Sequence, residues 1–196
     1  KFEEGVESSL AALETDYIDL YLIHWPKPER NQVNWEEALH EAWRGLETLQ
    51  AQGKVRSIGV CNHTPEHLKV LLQEARVLPA VNQIELHPGF DQAATRAFCK
   101  EKGIVVEGWS PLGCGKIFEL PSMQEIADKY HRTIAQICLR WALQNDILPL
   151  PKSVTPSRMR ENTQIFDFEL AAEDVETLTN LTGIGRTGPD PDCFQL

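Results

Sequence analysis

The side chains with the clearest chemical capacity stand at five separated places: His24, Cys61-Asn62-His63, Gln83 with Glu85 and His87, Trp109-Ser110, and Lys152-Ser153. The sharpest cluster is Lys152, Ser153, Arg158 and Asn162. In a chain of 196 residues with 19 basic and 29 acidic side chains, net charge −10, a local excess of cations needs a reason. Two cations at a helix start, beside backbone N–H groups that no helical carbonyl can pair, make a phosphate site. The plainer use is a solvated basic helix start beside Glu161. His24 follows an apolar run and carries an imidazole suited to orienting a polar group, although a lone histidine there is more often structural. Trp109 offers an aromatic face for stacking or for core packing. Asn62 and Gln83 are amides that must find partners wherever they are buried, in a ligand or in the protein. Cys61 is either a weak donor or a small buried hydrophobe.

Metal chemistry is not expected. His63 and His67 have the i, i+4 spacing of a ligand pair, but Thr64-Pro65 makes this a helix start and no third ligand is evident. The five cysteines (Cys61, Cys99, Cys114, Cys138, Cys193) form no C-x-x-C pair, so they read as reduced thiols of a cytoplasmic protein.

The elements that must position these residues alternate. Tyr17 to Ile23, Val55 to Val60, Ala80 to Leu86, Ile104 to Trp109 and Ile147 to Leu150 are short β-branched or aromatic runs, which read as buried strands. Between them, Trp35, Ala38, Leu39, Ala42, Trp43, Leu46 and Leu49 share one helical face, which Gly53 ends. Phe2 to Leu13 also has a helical pattern. Thr64-Pro65 and Thr155-Pro156 open helices, and Ser122 to Glu125 and Thr133 to Gln136 fit the capping box, with a break near His131 between the last two helices. A further helix is expected around Val175 to Leu181, and Gly183 to Leu196 looks like a tail. One domain over 1–196, with a parallel sheet and crossover helices, is the economical reading.

Each chemical residue falls at the carboxyl end of a predicted strand, the edge where α/β folds bind ligands. No G-x-G-x-x-G joins the first strand to its helix, which favours a (β/α)8 barrel over a doubly wound nucleotide fold. The acidic balance argues against nucleic acid and anionic membrane surfaces as partners. No apolar run approaches the ~18 residues of a membrane span, and Lys1-Phe2-Glu3-Glu4 lacks the layout of a signal peptide.

Five segments carry a resemblance: Asp16-Tyr17-Ile18-Asp19-Leu20-Tyr21-Leu22-Ile23-His24-Trp25-Pro26, Ile58-Gly59-Val60-Cys61-Asn62, Asn82-Gln83-Ile84-Glu85-Leu86-His87-Pro88, Trp109-Ser110-Pro111-Leu112-Gly113 and Pro151-Lys152-Ser153-Val154-Thr155-Pro156. In this order they resemble the successive signatures of the aldo-keto reductases. Asn62-His63 and Trp109 are most similar to the bacterial branch of 2,5-diketo-gluconate reductases. The resemblance implies a (β/α)8 TIM barrel that reduces small aldehydes or ketones with NADPH and reaches that cofactor without a Rossmann domain. It gives the adenosine 2′-phosphate and adenine to Lys152, Ser153, Val154, Thr155, Arg158, Glu161 and Asn162. The nicotinamide face falls to Trp109, the carboxamide to Asn62, Gln83 and Cys61 (usually serine in the family), and further cofactor contacts to Ser110 and Leu112. It makes His24 the residue that orients the substrate carbonyl. Trp25, the stretch on to Asn34, His63 and the loop Gly113 to Pro121 border the substrate. Glu85 and His87 are read as polar support.

The family's proton donor is a tyrosine acidified by a lysine that is itself paired with an aspartate. Tyr17, Tyr21 and Tyr130 are the tyrosines present, none in that motif, and Lys1 is in the wrong context for the lysine. The resemblance therefore implies about five of the eight β-α units, with the first three absent, and a chain inactive by itself whose open edges favour self-association. A non-catalytic nucleotide-binding or scaffold module is the alternative function.

Overall fold

The computed structural model describes residues 2–27 and 34–193. Five parallel strands, β1 (Ile18–Ile23), β2 (Val55–Cys61), β3 (Val81–Glu85), β4 (Val105–Trp109) and β5 (Ile147–Leu150), follow one another in the sheet in chain order. The helices are α1 (Phe2–Leu13), α2 (Trp35–Ala51), α3 (Pro65–Leu71), α4 (Ala93–Lys102), α5 (Pro121–Tyr130), α6 (Ile134–Gln144), α7 (Pro156–Thr163) and α8 (Ala172–Thr179). Sequential parallel strands with helices in the crossovers are the α/β arrangement expected of a partial (β/α)8 barrel. No described helix is long and apolar enough to cross a membrane.

The chain divides into two compact units, one of Lys1–Gln83, Ala94–Val105 and Asp190–Leu196, the other of Ile84–Ala93 and Val106–Pro189. In the first, β1 pairs with β2 from Ile18↔Val55 to Ile23↔Val60, and β2 with β3 at Val60↔Asn82 and Cys61↔Gln83. The expected face of α2 is the buried one: Leu39, Ala42, Trp43, Leu46 and Leu49 are all inside. Trp43 keeps its indole N–H satisfied by donating to the Val77 carbonyl at 3.1 Å. Gly53, at φ 77°, ends the connection as predicted.

In the second unit, β4 pairs with β5 from Val106↔Ile147 to Trp109↔Leu150. The core is built around α6, with Ile137, Cys138, Leu139 and Trp141 fully buried, and Trp141 Nε1 donates to Thr179 Oγ1 at 3.0 Å. Thr133 caps α6 in the expected box: its hydroxyl accepts from the Gln136 amide, and Gln136 Oε1 accepts from the Thr133 amide at 3.1 Å. His131 adopts φ 53° at the break between α5 and α6.

Three expectations are corrected. Ser122 does not cap α5: Pro121, whose missing N–H costs nothing in a first turn, starts the helix two residues earlier, with Leu120 at the N-cap. Gly113 to Pro121 is no irregular loop, because Gly113–Glu119 forms a 3-10 turn kinked by left-handed Cys114 and Gly115. Gly183 to Cys193 is not a loose tail, since Thr187 and Gly188 hydrogen-bond Glu85 in the second unit, and Asp192 pairs with Lys27 at 2.6 Å in the first.

Gly59 tests the packing of the first unit. A methyl group there would lie 2.7 Å from Leu22 Cδ2 and 2.7 Å from the Val81 carbonyl oxygen, and the latter is backbone that cannot turn away. Gly59→Ala is expected to destabilise the fold by about 1–3 kcal/mol, read from the midpoint of urea unfolding.

Candidate active site

The basic cluster lines a cleft. Lys152, Ser153, Val154, Thr155, Arg158, Glu161 and Asn162, together with Leu112, surround a space of about 480 Å³ in the second unit. β5 delivers the chain to Lys152, and Pro156 fixes the start of α7, so Arg158, Glu161 and Asn162 follow at helical spacing. The Ser153 hydroxyl accepts from the Thr155 amide at 3.1 Å, which folds this turn onto itself. Glu161 accepts from Thr133 Oγ1 at 2.7 Å. Among the described residues neither Lys152 nor Arg158 pairs with a carboxylate, in a protein of net charge −10. Lys152 and Arg158 thus share the lining of this cleft with the Glu161 carboxylate. Phe118, Thr133 and Ala135 complete the lining and were missed in the sequence. Thr133 was legible only as a helix cap and Phe118 only as part of a loop.

Trp109, half-buried, ends β4, and Ser110 follows at φ 49° with its Oγ 3.5 Å from Cys114 Sγ. In the first unit, His24 is exposed just beyond β1, and its carbonyl accepts from Asn62 Nδ2 at 3.0 Å. Asn62 is buried with φ 60°, and its amide donates to the Gln83 carbonyl at 3.0 Å. Cys61 is buried at the end of β2, Gln83 is half-buried, and Trp25 is buried with its ring 5.6 Å from that of His24. The stretch 28–33, expected to border the substrate, lies outside the described residues.

The Aldo/keto reductase family profile matches residues 1–182 of this chain. The chain belongs to the aldo/keto reductase family. It is 44% identical over 194 residues to a methylglyoxal reductase, DkgA, of Yersinia pestis, covering 98% of this chain and 68% of that protein. It is 43% identical over 197 residues to a glyoxal reductase of Bacillus subtilis (strain 168), covering 97% and 68% respectively. Among solved structures, a mutant of Gox0644 in complex with NADPH superposes with a TM-score of 0.91 at 40% identity, covering 100% of this chain and 70% of that one. The aldo-keto reductase AKR2E5 complexed with NADPH gives 0.85 at 35% identity, covering 95% and 61%.

In this aldo/keto reductase family member a tyrosine, a lysine and an aspartate do meet, and none of the three lines the cleft. Tyr130 Oη donates to Asp174, Lys129 Nζ lies 2.8 Å from the same carboxylate, and Tyr130 Oη also accepts from the Ala171 amide at 2.8 Å. Burial, with Asp174 adding to it, raises the Tyr130 pKa above its ordinary value. The trio ties α5 to α8, with the Tyr130 hydroxyl directed at the Asp174 carboxylate.

His63 is buried, with Nδ1 2.7 Å from the Cys61 carbonyl, so the proton sits on Nδ1. Its backbone is pinned by Asn82, whose Nδ2 donates to the His63 carbonyl at 2.8 Å. The imidazole that was expected to border substrate is held inside the first unit. His67 Nδ1 accepts from the Thr64 amide at 3.2 Å, which turns Nε2 towards Asp192 at 3.2 Å. The two rings therefore face different partners, and no cluster of metal-ligand type occurs among the described residues.

Burial pushes the His63 pKa from 6.5 to about 3. Below pH 6.5 the unfolded chain binds a proton that the folded one refuses, so this contribution is complete above pH 6.5 and is lost as pH falls towards 3. From this group alone, unfolding free energy at about pH 5.5 is expected to be about 1.4 kcal/mol below that at about pH 7.5. Urea titrations of the wild type and of His63→Asn check this: the variant should lack that part of the pH dependence.

Proposed function

We propose that these 196 residues bind NADPH and position it for carbonyl reduction, with the adenosine 2′-phosphate in the Lys152–Arg158 cleft. The single observation that carries the reading is the pair of uncompensated cations on the wall of that cleft. Their charge and geometry suit a dianionic phosphate, and Ser153 adds a hydroxyl beside them. Asn162 and Glu161 supply amide and carboxylate groups for the nucleoside, and Leu112 and Val154 give it apolar surface.

When bound, the dinucleotide supplies hydride to a carbonyl carbon. In the second unit Trp109 offers an aromatic face suited to stacking a nicotinamide, and in the first unit Asn62, Gln83 and Cys61 are the residues to which the family resemblance gives a carboxamide. The exposed imidazole of His24 can donate to a carbonyl oxygen and set its direction. The relatives named for methylglyoxal and glyoxal support a small aldehyde or ketone as substrate, with the sugar-derived ketones of the 2,5-diketo-gluconate branch as a narrower choice.

Binding is separate from turnover in this reading. Tyr130 is committed to Asp174, and the guanidinium of Arg56 lies 3.9 Å from the ring centre of Tyr17. Tyr21, within β1, has its hydroxyl near Gly5 of α1. Tyr130, the one of the three beside a lysine and an aspartate, directs its hydroxyl at the carboxylate, so in this reading the described residues hold and orient without supplying the acid.

Lys152→Ala is expected to weaken NADPH about 10–100-fold and to change NADH affinity little, the loss of one charge-assisted contact to phosphate. Titration of tryptophan fluorescence with each nucleotide measures this. Equal loss for both nucleotides would place the phosphate elsewhere. The purified 196-residue chain should show no methylglyoxal-dependent oxidation of NADPH, followed by the absorbance of the reduced nicotinamide; steady oxidation would overturn the separation of binding from turnover.

A further inference from the structure

We propose that Glu85 is a positioning residue that fixes the indole of Trp109, acting through the backbone of Thr187 and Gly188. This rests on the reading that Trp109 receives the nicotinamide and adds to it a part of the protein 102 residues away in sequence.

Glu85 closes β3 with its side chain fully buried. Its Oε1 accepts from the Thr187 amide at 2.7 Å and from the Thr187 hydroxyl, and its Oε2 accepts from the Gly188 amide at 3.1 Å. His87 Nε2 stands 3.4 Å from Oε1. A buried carboxylate left without donors is expensive, so these contacts are a strong tether. Burial would raise the Glu85 pKa, but the neighbouring His87 and the hydrogen bonds from Thr187 and Gly188 outweigh it and hold the group down at about 2, so it is ionised at neutral pH.

The tethered backbone has one evident use. A methyl group at Gly188 would fall 2.3 Å from Trp109 Cη2 and 2.9 Å from Cζ3, so the glycine Cα is pressed against the edge of the indole. Only glycine allows that approach. The segment around it has no helix or strand of its own and contains Gly183, Gly185, Gly188 and Pro189, so local structure does not hold it in place. Glu85 does, and the segment in turn limits where the indole can swing. Ring orientation at Trp109 is thus set by a carboxylate that itself has no need to touch cofactor or substrate.

The test uses the full chain with Glu85→Gln, which keeps size and removes the acceptor at one oxygen, and Thr187→Val, which removes the hydroxyl donor alone. Hydrogen exchange of a peptide spanning 183–189 should speed up about tenfold or more in Glu85→Gln and less in Thr187→Val, while peptides from α6 stay unchanged. NADPH affinity should fall about tenfold in Glu85→Gln, as for loss of hydrogen bonds to a charged group, with adenosine 2′,5′-bisphosphate bound within about twofold of wild type. That split is one that general damage to the fold does not produce. Unchanged exchange in 183–189 in both variants, or equal losses for the two ligands, overturns the proposal. If Glu85→Gln does not fold, Thr187→Val decides by the same two readouts. Failure of the wild type to bind adenosine 2′,5′-bisphosphate counts against the cofactor reading, whereas the exchange measurement still decides the tether.

Discussion

A polar group taken out of water must find its partner inside the protein, and at the strand ends of this chain that requirement organises everything around it. Asn82 in β3 is fully buried and meets the demand by holding both backbone groups of His63. His63 in turn donates to the Cys61 carbonyl, which fixes the turn where β2 passes into α3. In the other unit Glu85 draws in the Thr187 and Gly188 amides. The groups that look most reactive in the sequence are therefore of two kinds. Some are consumed by this internal pairing, and others, such as His24, Lys152 and Arg158, stay exposed.

The same distinction separates the two places where tyrosine, lysine and aspartate types matter. The family's acid requires a tyrosine whose proton is loosened by a nearby lysine. Tyr130 sits beside Lys129 and Asp174, yet its hydroxyl donates straight to the carboxylate, and burial raises its pKa. Residue types alone would have counted this as a match. What the types do not show is that the hydroxyl donates to the carboxylate. Lys152 and Arg158 show the converse: they are ordinary basic residues by type, and what sets them apart is that no described carboxylate pairs with them and that both line one cleft.

Much of the fold was legible because it depends on local periodicity. All five strands lie within a residue or so of their expected bounds, and α1, α2, α6 and α7 begin where a cap, a proline or an apolar face places them. The misread features share a physical cause. Ser122 satisfies the capping pattern, but Pro121 can open the helix itself, which puts Leu120 at the N-cap and Ser122 inside the first turn. The glycine and proline content of 183–193 reads as loose chain because its partners, Glu85 for Thr187 and Gly188, and Lys27 for Asp192, are distant in sequence and leave no local pattern.

By itself the sequence determined the alternation of strand and helix, the family, the net negative charge and the exceptional basic cluster, because each of these is written in spacing and residue type within short windows. Tertiary structure decided which of the candidate groups are free to act. It buried His63, committed Tyr130, left Lys152 and Arg158 without carboxylate partners among the described residues around a cleft, and seated Gly188 against Trp109. The physical reason is that availability depends on what else comes within about 3 Å of a polar atom, and in this chain such neighbours come from as far as 165 residues away.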